Sequence, residues 1–231
     1  MSKWFIRPCK VDIGNMCRKM GINVPLALAL QAKGLNTPKK VKDYFNTENY
    51  SFGDITELIG VKRSFEIIEK AINENKKIFI YGDYDVDGVT STVILYKSLK
   101  ALGANVFYYI PNRVTDGYGL NVNAIERLIG KGMELLITCD NGIAAIEEIK
   151  YAKEKGVDVV IYDHHEPVIK DDKEILPEAD SVTDAKIENC GYDFTVMCAG
   201  GLCYRVMKSF YEYLGQKYTL EKEMIIFAGI A

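Results

Sequence analysis

The stretch that decides the fold is "IFIYGDYDVDGVTST", Ile78 to Thr92. A short β-rich run, Ile78–Tyr81, leads straight into three carboxylates within five positions, Asp83, Asp85 and Asp87. A helix-like segment follows, "GVTSTVILYKSLKALG" (88–103). Like charges this close repel, and burying even one unpaired carboxylate is costly. A strand that ends in such a cluster calls for something positive beside it.

The same strand-then-helix alternation continues along the chain. "NVFYYIP" (105–111), "ELLITCD" (134–140) and "VDVVIYD" (157–163) read as strands. "NVNAIERLIGKG" (121–132) and "GIAAIEEIKYAKEKG" (142–156) read as helices. Alternation of this kind predicts an α/β fold, a parallel sheet with helices on both faces. Ahead of it, residues 1–75 read as a mainly helical lead. "NVPLALALQAKG" ends at Gly34, and "TPKKVKDYFN" offers Thr37 as N-cap with Pro38 at the first helical position. "VKRSFEIIEKAINENKK" (61–77) spaces Phe65, Ile68, Ala71 and Ile72 as one helical face. Residues 170–194 are acidic and turn-rich and read as loop. "AGGLCYRVMKSFYEYLG" (199–215) reads as a glycine turn into an amphipathic helix.

In open parallel sheets, ligands bind beyond the carboxyl ends of the strands. Asp83, Asp85 and Asp87 follow the first strand. Asp140 and Asn141 follow the one at 134–139, and Asp163, His164 and His165 follow the one at 157–162. Asn112 and Arg113 follow the strand at 105–110. Carboxylates and imidazoles converging on one edge suit a divalent ion such as Mg²⁺ or Mn²⁺. Each residue alone has a structural alternative: Asp87, Asp140 or Asn141 would also serve as a helix N-cap. Of two look-alike motifs the first fails and the second stands only as a distant alternative. Asp83–Gly88 resembles the start of a helix–loop–helix calcium loop, but the twelfth position, which must be a bidentate Glu, is Ile94. "DVDGV" resembles the nucleophile motif of haloacid-dehalogenase-like phosphatases, which leaves both histidines without a role.

Composition narrows the class further. The chain has 231 residues, 48% hydrophobic and 26% charged, with net charge −3. No apolar run reaches the roughly 18 residues of a membrane span, and the N-terminus lacks a signal-peptide core, so a cytoplasmic protein is expected. Residues 1–80 carry 14 basic against 8 acidic residues, and the remainder 15 against 24. The six cysteines form no C-x-x-C pair and read as buried free thiols rather than zinc ligands.

"GDYDVDG", "CDNGI" and "YDHHEP", in this order and at these strand ends, resemble the first three motifs of the DHH phosphoesterase family. Within it the chain resembles RecJ-like single-stranded-DNA-specific exonucleases. The helical lead with Trp4, "PNRVTDGYGLN" (111–121) and "CAGGL" (198–202) carry that finer likeness. The resemblance implies a catalytic domain over 76–231 holding two Mn²⁺ or Mg²⁺ ions. Asp85, Asp87, Asp140 and His164 would be ligands, with Asp83 a further ligand or a supporting carboxylate. His165 would contact the scissile phosphate, and Asp163 would orient the histidine pair. Arg113 and Tyr118 would hold the nucleic-acid backbone or a base, and Gly200 and Gly201 would line the substrate path. Packing is the equal alternative for Tyr118.

The implied activity is 5′-to-3′ hydrolysis of single-stranded DNA, with a helicase and a single-strand-binding protein as partners. A phosphodiesterase acting on oligonucleotides or cyclic dinucleotides is the alternative within the family. A non-catalytic nucleic-acid-binding homologue is the alternative outside catalysis. Two departures stand out. The family's next metal-binding aspartate follows an "A-L-G-T-V-A-D"-like segment that "IIFAGIA" only begins, which implies a catalytic domain incomplete at its C-terminus. "SVTDAKIENC" (181–190) replaces the family's usual Asn-Pro pair.

Overall fold

The computed structural model describes residues 12–46, 52–114, 117 and 119–231. The chain divides into two compact units, Met1–Ser51 and Phe52–Ala231. In the first, α1 (Ile13–Met20), α2 (Val24–Ala32) and α3 (Pro38–Phe45) close on a small core of Met16, Ala27, Leu30 and Val41. Each helix begins at a side-chain cap. Asp12, Asn23 and Thr37 accept the backbone N–H of Asn15, Leu26 and Lys40 at 3.0, 3.0 and 3.2 Å, which satisfies amides that a helix start leaves without partners. Thr37 and Pro38 fall where the sequence puts them. Trp4 lies outside the described residues.

After a short 3-10 helix, Ile55–Glu57, the second unit continues with α4 (Val61–Asn73) and is built on a five-stranded parallel sheet. In chain order its elements are β1 (Ile78–Tyr81), α5 (Val86–Ala101), β2 (Val106–Tyr109), α6 (Val122–Gly130), β3 (Leu135–Cys139), α7 (Ile146–Glu154) and β4 (Asp158–Tyr162). A hairpin of β5 (Val168–Lys170) and β6 (Lys173–Ile175), strand β7 (Ser181–Thr183), α8 (Ala199–Tyr213) and α9 (Glu221–Ile230) complete it. The sheet order is β2-β1-β3-β4-β7, in register through Ile80 with Tyr108 and Ile137, Ile137 with Val160, and Val160 with Ser181.

Alternation along the strands sorts the two cores. Ile78, Ile80, Leu135, Ile137, Val160 and Tyr162 face the cluster filled by α4, α5, α8 and α9. Phe79, Tyr81, Leu136, Val159 and Ile161 face the cluster filled by α6 and α7. The central strands are apolar on both faces because both are covered, as the sequence reading requires. No helix among the described residues is long and apolar enough to cross a membrane.

The compact unit starts at Phe52 and takes in α4, because Val61, Phe65 and Ile68 lie in the same core as Ile78 and Ile137; the catalytic domain expected over 76–231 lies inside it. One stretch differs from the sequence reading. Residues 170–194 hold strand structure where loop is expected. The β5–β6 turn is made by Asp171 and Asp172, both with positive φ, a conformation aspartate tolerates better than most residues. β7 is a three-residue edge strand with Ser and Thr at its ends, too short and too polar to leave a period-two signal.

Candidate metal centre

From β1 the chain passes to β2 on one side, and β3 then pairs on the other side of β1. The loops that leave β1 and β3 therefore part, and the crevice between them is where an open parallel sheet receives a ligand. The β1 loop brings Asp83, Asp85 and Asp87, the β3 loop Asp140, and the neighbouring β4 loop Asp163, His164 and His165.

The local chemistry of the β1 loop explains its spelling. Asp85 is the N-cap of α5, its Oδ1 accepting the Gly88 N–H at 2.9 Å. Gly88 is required by close approach: a Cβ there would stand 2.6 Å from the backbone of Asp83. The hydroxyls of Thr90, Ser91 and Thr92 donate back to the carbonyls of Val86, Asp87 and Gly88 at 2.7, 2.6 and 2.8 Å. The polar run thus satisfies its own hydrogen bonds and still packs as a buried helix. Asp87 sits in the first turn of α5 and takes two amides from elsewhere, Ala199 N–H at 2.9 Å on Oδ2 and Gly200 N–H at 2.7 Å on Oδ1. The start of α8 therefore holds Asp87 in place.

Asp140 adopts a left-handed backbone, φ +62, with its N–H bonded to Tyr162 O at 3.1 Å. Its buried carboxylate lies 3.1 Å from His164 Nε2, which is also 3.4 Å from Asp87 Oδ2. Asp163 is buried and saturated. Its Oδ1 lies 2.7 Å from His165 Nδ1 and accepts the His164 N–H, and its Oδ2 accepts the Ile143 N–H at 2.9 Å. Two sets of donor atoms lie within 4.8 Å of one another: Asp83, Asp85 and Asp140, and Asp140, His164 and His165. Asp140 belongs to both.

The electrostatics show what this arrangement lacks. Burial, with Asp87 and Asp85 nearby, pushes the Asp140 carboxyl up to about 6. Burial also raises Asp83, which is 1% exposed and leaves Oδ1 with no hydrogen-bond partner. The bond to Asp140 raises His164, and the bond to Asp163 raises His165 to about 9. An orphaned buried carboxylate oxygen facing further carboxylates is the environment a divalent cation relieves. The donors are oxygens and imidazole nitrogen, the set that suits Mn²⁺ or Mg²⁺. The residues fit such ions.

The remaining expected residues are placed as follows. Arg113 is exposed, its guanidinium 5.4 Å over the ring of Tyr84 in the β1 loop. Tyr118 lies outside the described residues. Gly200 is buried with its amide on Asp87, and a Cβ on it would meet the Ala231 side chain at 2.5 Å. Gly201 N–H bonds to Cys198 Sγ at 3.3 Å. Asp140 and Asn141 do not cap α7, whose N-cap is Ala145 and which has no side-chain cap bond.

One acidic residue of the same edge escaped the sequence reading. Asp184 follows β7, is fully buried and leaves Oδ2 without a partner, while Lys186 N–H reaches Oδ1 at 2.8 Å. Burial pushes its carboxyl up to about 7, with Asp163 adding to the shift. The rule that found the other carboxylates, looking just past each strand, finds Asp184 once β7 is recognised.

The chain resembles known proteins in sequence and in fold. The DHH family, N-terminal domain, matches residues 77–230. The chain is 37% identical over 205 residues to the single-stranded-DNA-specific exonuclease RecJ of Bacillus subtilis (strain 168), covering 88% of this chain and 25% of that protein. It is 36% identical over 152 residues to the exonuclease of the same name from Haemophilus influenzae, covering 65% and 26%. A crystal structure of exonuclease RecJ bound to manganese matches with TM-score 0.65 and 30% identity, over 74% of this chain and 42% of that one. RecJ of Thermus thermophilus in complex with Mn²⁺ shares the fold at TM-score 0.64 and 23% identity, over 96% of this chain and 30% of that one. The chain spans about a quarter of the length of the curated relatives it matches.

Proposed function

The chain belongs to the DHH family, and from that premise we propose that it carries the phosphodiester-hydrolysing site of a 5′-to-3′ exonuclease on single-stranded DNA. The observation that carries the reading is Asp140, buried between two donor sets that share it. Asp83, Asp85, Asp87, Asp140 and His164 would hold the divalent ions, Mn²⁺ or Mg²⁺. When bound, such ions supply charge stabilisation at the phosphate and make water a competent nucleophile at neutral pH.

The chain's own side chains do the rest. Asp163, tied down by the Ile143 and His164 amides, fixes the ring of His165 through Nδ1. Oriented in this way, His165 is the ring that donates to a phosphate oxygen. Asp163 is a positioning residue for that donor. Arg113, braced on Tyr84, offers a cation to the strand's backbone. A cytoplasmic protein acting beside a helicase and a single-strand-binding protein completes the proposal.

Asp140→Asn in the full-length protein tests it, because Asn keeps the size and tolerates the left-handed backbone. Release of mononucleotides from 5′ ends of single-stranded DNA with Mn²⁺ is expected to fall at least ~10³-fold, on the order of 4 kcal/mol of transition-state stabilisation. Retained activity would overturn the site. Preference for a dinucleotide over a longer strand would redirect the substrate class to short oligonucleotides.

A further inference from the structure

Beside His165 lies a cavity of about 280 Å³ whose lining includes Leu120, Asn141, Ile143, Ala144, Glu148 and His165. Asn141 is 4% exposed, and neither its Nδ2 nor its Oδ1 has a hydrogen-bond partner. A buried amide with both ends unpaired is costly and rare in native proteins. Its two ends ask for different things. A bound anion would satisfy only the N–H₂ group, and a bound cation only the carbonyl. The carboxylates of Glu148 and Asp163 on the wall also disfavour an anion. Waters would satisfy both ends, and the cavity, several times the roughly 30 Å³ a water occupies, also has room for a ring.

We propose that this cavity is a nucleobase pocket, taking the base of the nucleotide whose phosphate lies at the metal centre. The proposal rests on the phosphodiester reading above and adds a subsite to it. A nucleobase edge presents a donor and an acceptor side by side, the complement of a carboxamide. Leu120, Ile143 and Ala144 supply apolar surface for the ring. The volume falls just below the roughly 300–1,000 Å³ of pockets that enclose a drug-sized ligand, so a ring enters and the sugar-phosphate stays outside. His165 lines the cavity and belongs to the donor set with Asp140, which puts the two subsites one side chain apart.

The test is calorimetric titration of the full-length protein with dAMP, dTMP and, as a probe without a base, 2-deoxyribose 5-phosphate, each with and without Mn²⁺. Both nucleotides are expected to bind about tenfold more tightly than the sugar phosphate. Ala144→Trp adds an indole at an exposed rim position and is expected to abolish that advantage while Mn²⁺ binding is unchanged. Asn141→Leu is expected to reduce it without filling the cavity. Equal binding of nucleotide and sugar phosphate by the unaltered protein would overturn the pocket and leave water as the partner of Asn141. Unweakened nucleotide binding by Ala144→Trp would overturn it too. Absence of DNA hydrolysis would instead sink the reading it rests on, and the titrations without ion would still decide the pocket.

Discussion

The two ends of the central sheet carry similar residue types and treat them in opposite ways. At the amino end Lys76 Nζ lies 2.9 Å from Asp158 and 3.6 Å from Glu74. Lys77 N–H donates to Glu134 at 2.9 Å, and Lys77 Nζ to the Lys131 carbonyl at 3.0 Å. These charges find partners at the surface. At the carboxyl end Asp83, Asp140, Asp163 and Asp184 are buried, and Asp83 and Asp184 each keep an oxygen without a hydrogen bond. The first arrangement is ordinary surface electrostatics. The second holds folded-state free energy in reserve, to be released when a cation arrives.

That contrast makes graded predictions. The largest concerns the ion itself. Mn²⁺ at a thousandfold excess over its dissociation constant should stabilise the fold by about 4 kcal/mol, seen as a rise in Tm that Asp140→Asn removes. An equal rise in the variant would place the ion elsewhere.

Next comes Asp184. Its folded carboxyl titrates at about 7, against 3.8 when solvated. The folded state keeps that proton longer than the unfolded chain, so the stability it contributes is full below about 4 and lost as pH rises through 7. Asp184→Asn has no such loss and should be more stable than the parent by roughly 4 kcal/mol at about pH 8 and little different near pH 4. Melting curves across that range that run parallel for the two proteins would break the argument.

Asp140 follows the same sign over a narrower window, from 3.8 to about 6. Without ions, Asp140→Asn should gain roughly 3 kcal/mol above pH 6, while losing hydrolysis. The smallest effect belongs to the other end of the sheet. Lys76→Met should change stability by less than about 1 kcal/mol, as ion pairs near the surface do, and a larger loss in denaturant unfolding would erase the contrast between the two ends.

The sequence made much of this legible for a physical reason. Strand ends, caps and glycine turns are local, so β1, β3, β4, Thr37 with Pro38, and the convergence of Asp83, Asp140 and His164 could be read from short stretches. Contacts between distant segments could not. Nothing near Asp87 announces that its carboxylate is held by amides more than a hundred residues later. Nothing in "AGGL" says that Gly200 is glycine because Ala231 and Asp87 crowd it. Asp85, rather than Asp87, turned out to cap α5, since the helix begins two residues earlier than its apolar pattern suggests. Asp184 was hidden because three polar-flanked residues suffice for an edge strand once β4 offers its free side.

The left-handed backbone of Asp140 has a use at the bench. An L-residue with a Cβ gives up roughly 1–2 kcal/mol to stand in that conformation, and glycine gives up little. Both Asp140→Gly and Asp140→Ala delete the carboxylate, so the difference between their stabilities isolates the backbone. A gap of about 1 kcal/mol in favour of glycine would measure the torsional load carried at the bottom of the metal crevice. Equal stabilities would mean that the β3 loop relaxes to another conformation once its carboxylate is gone.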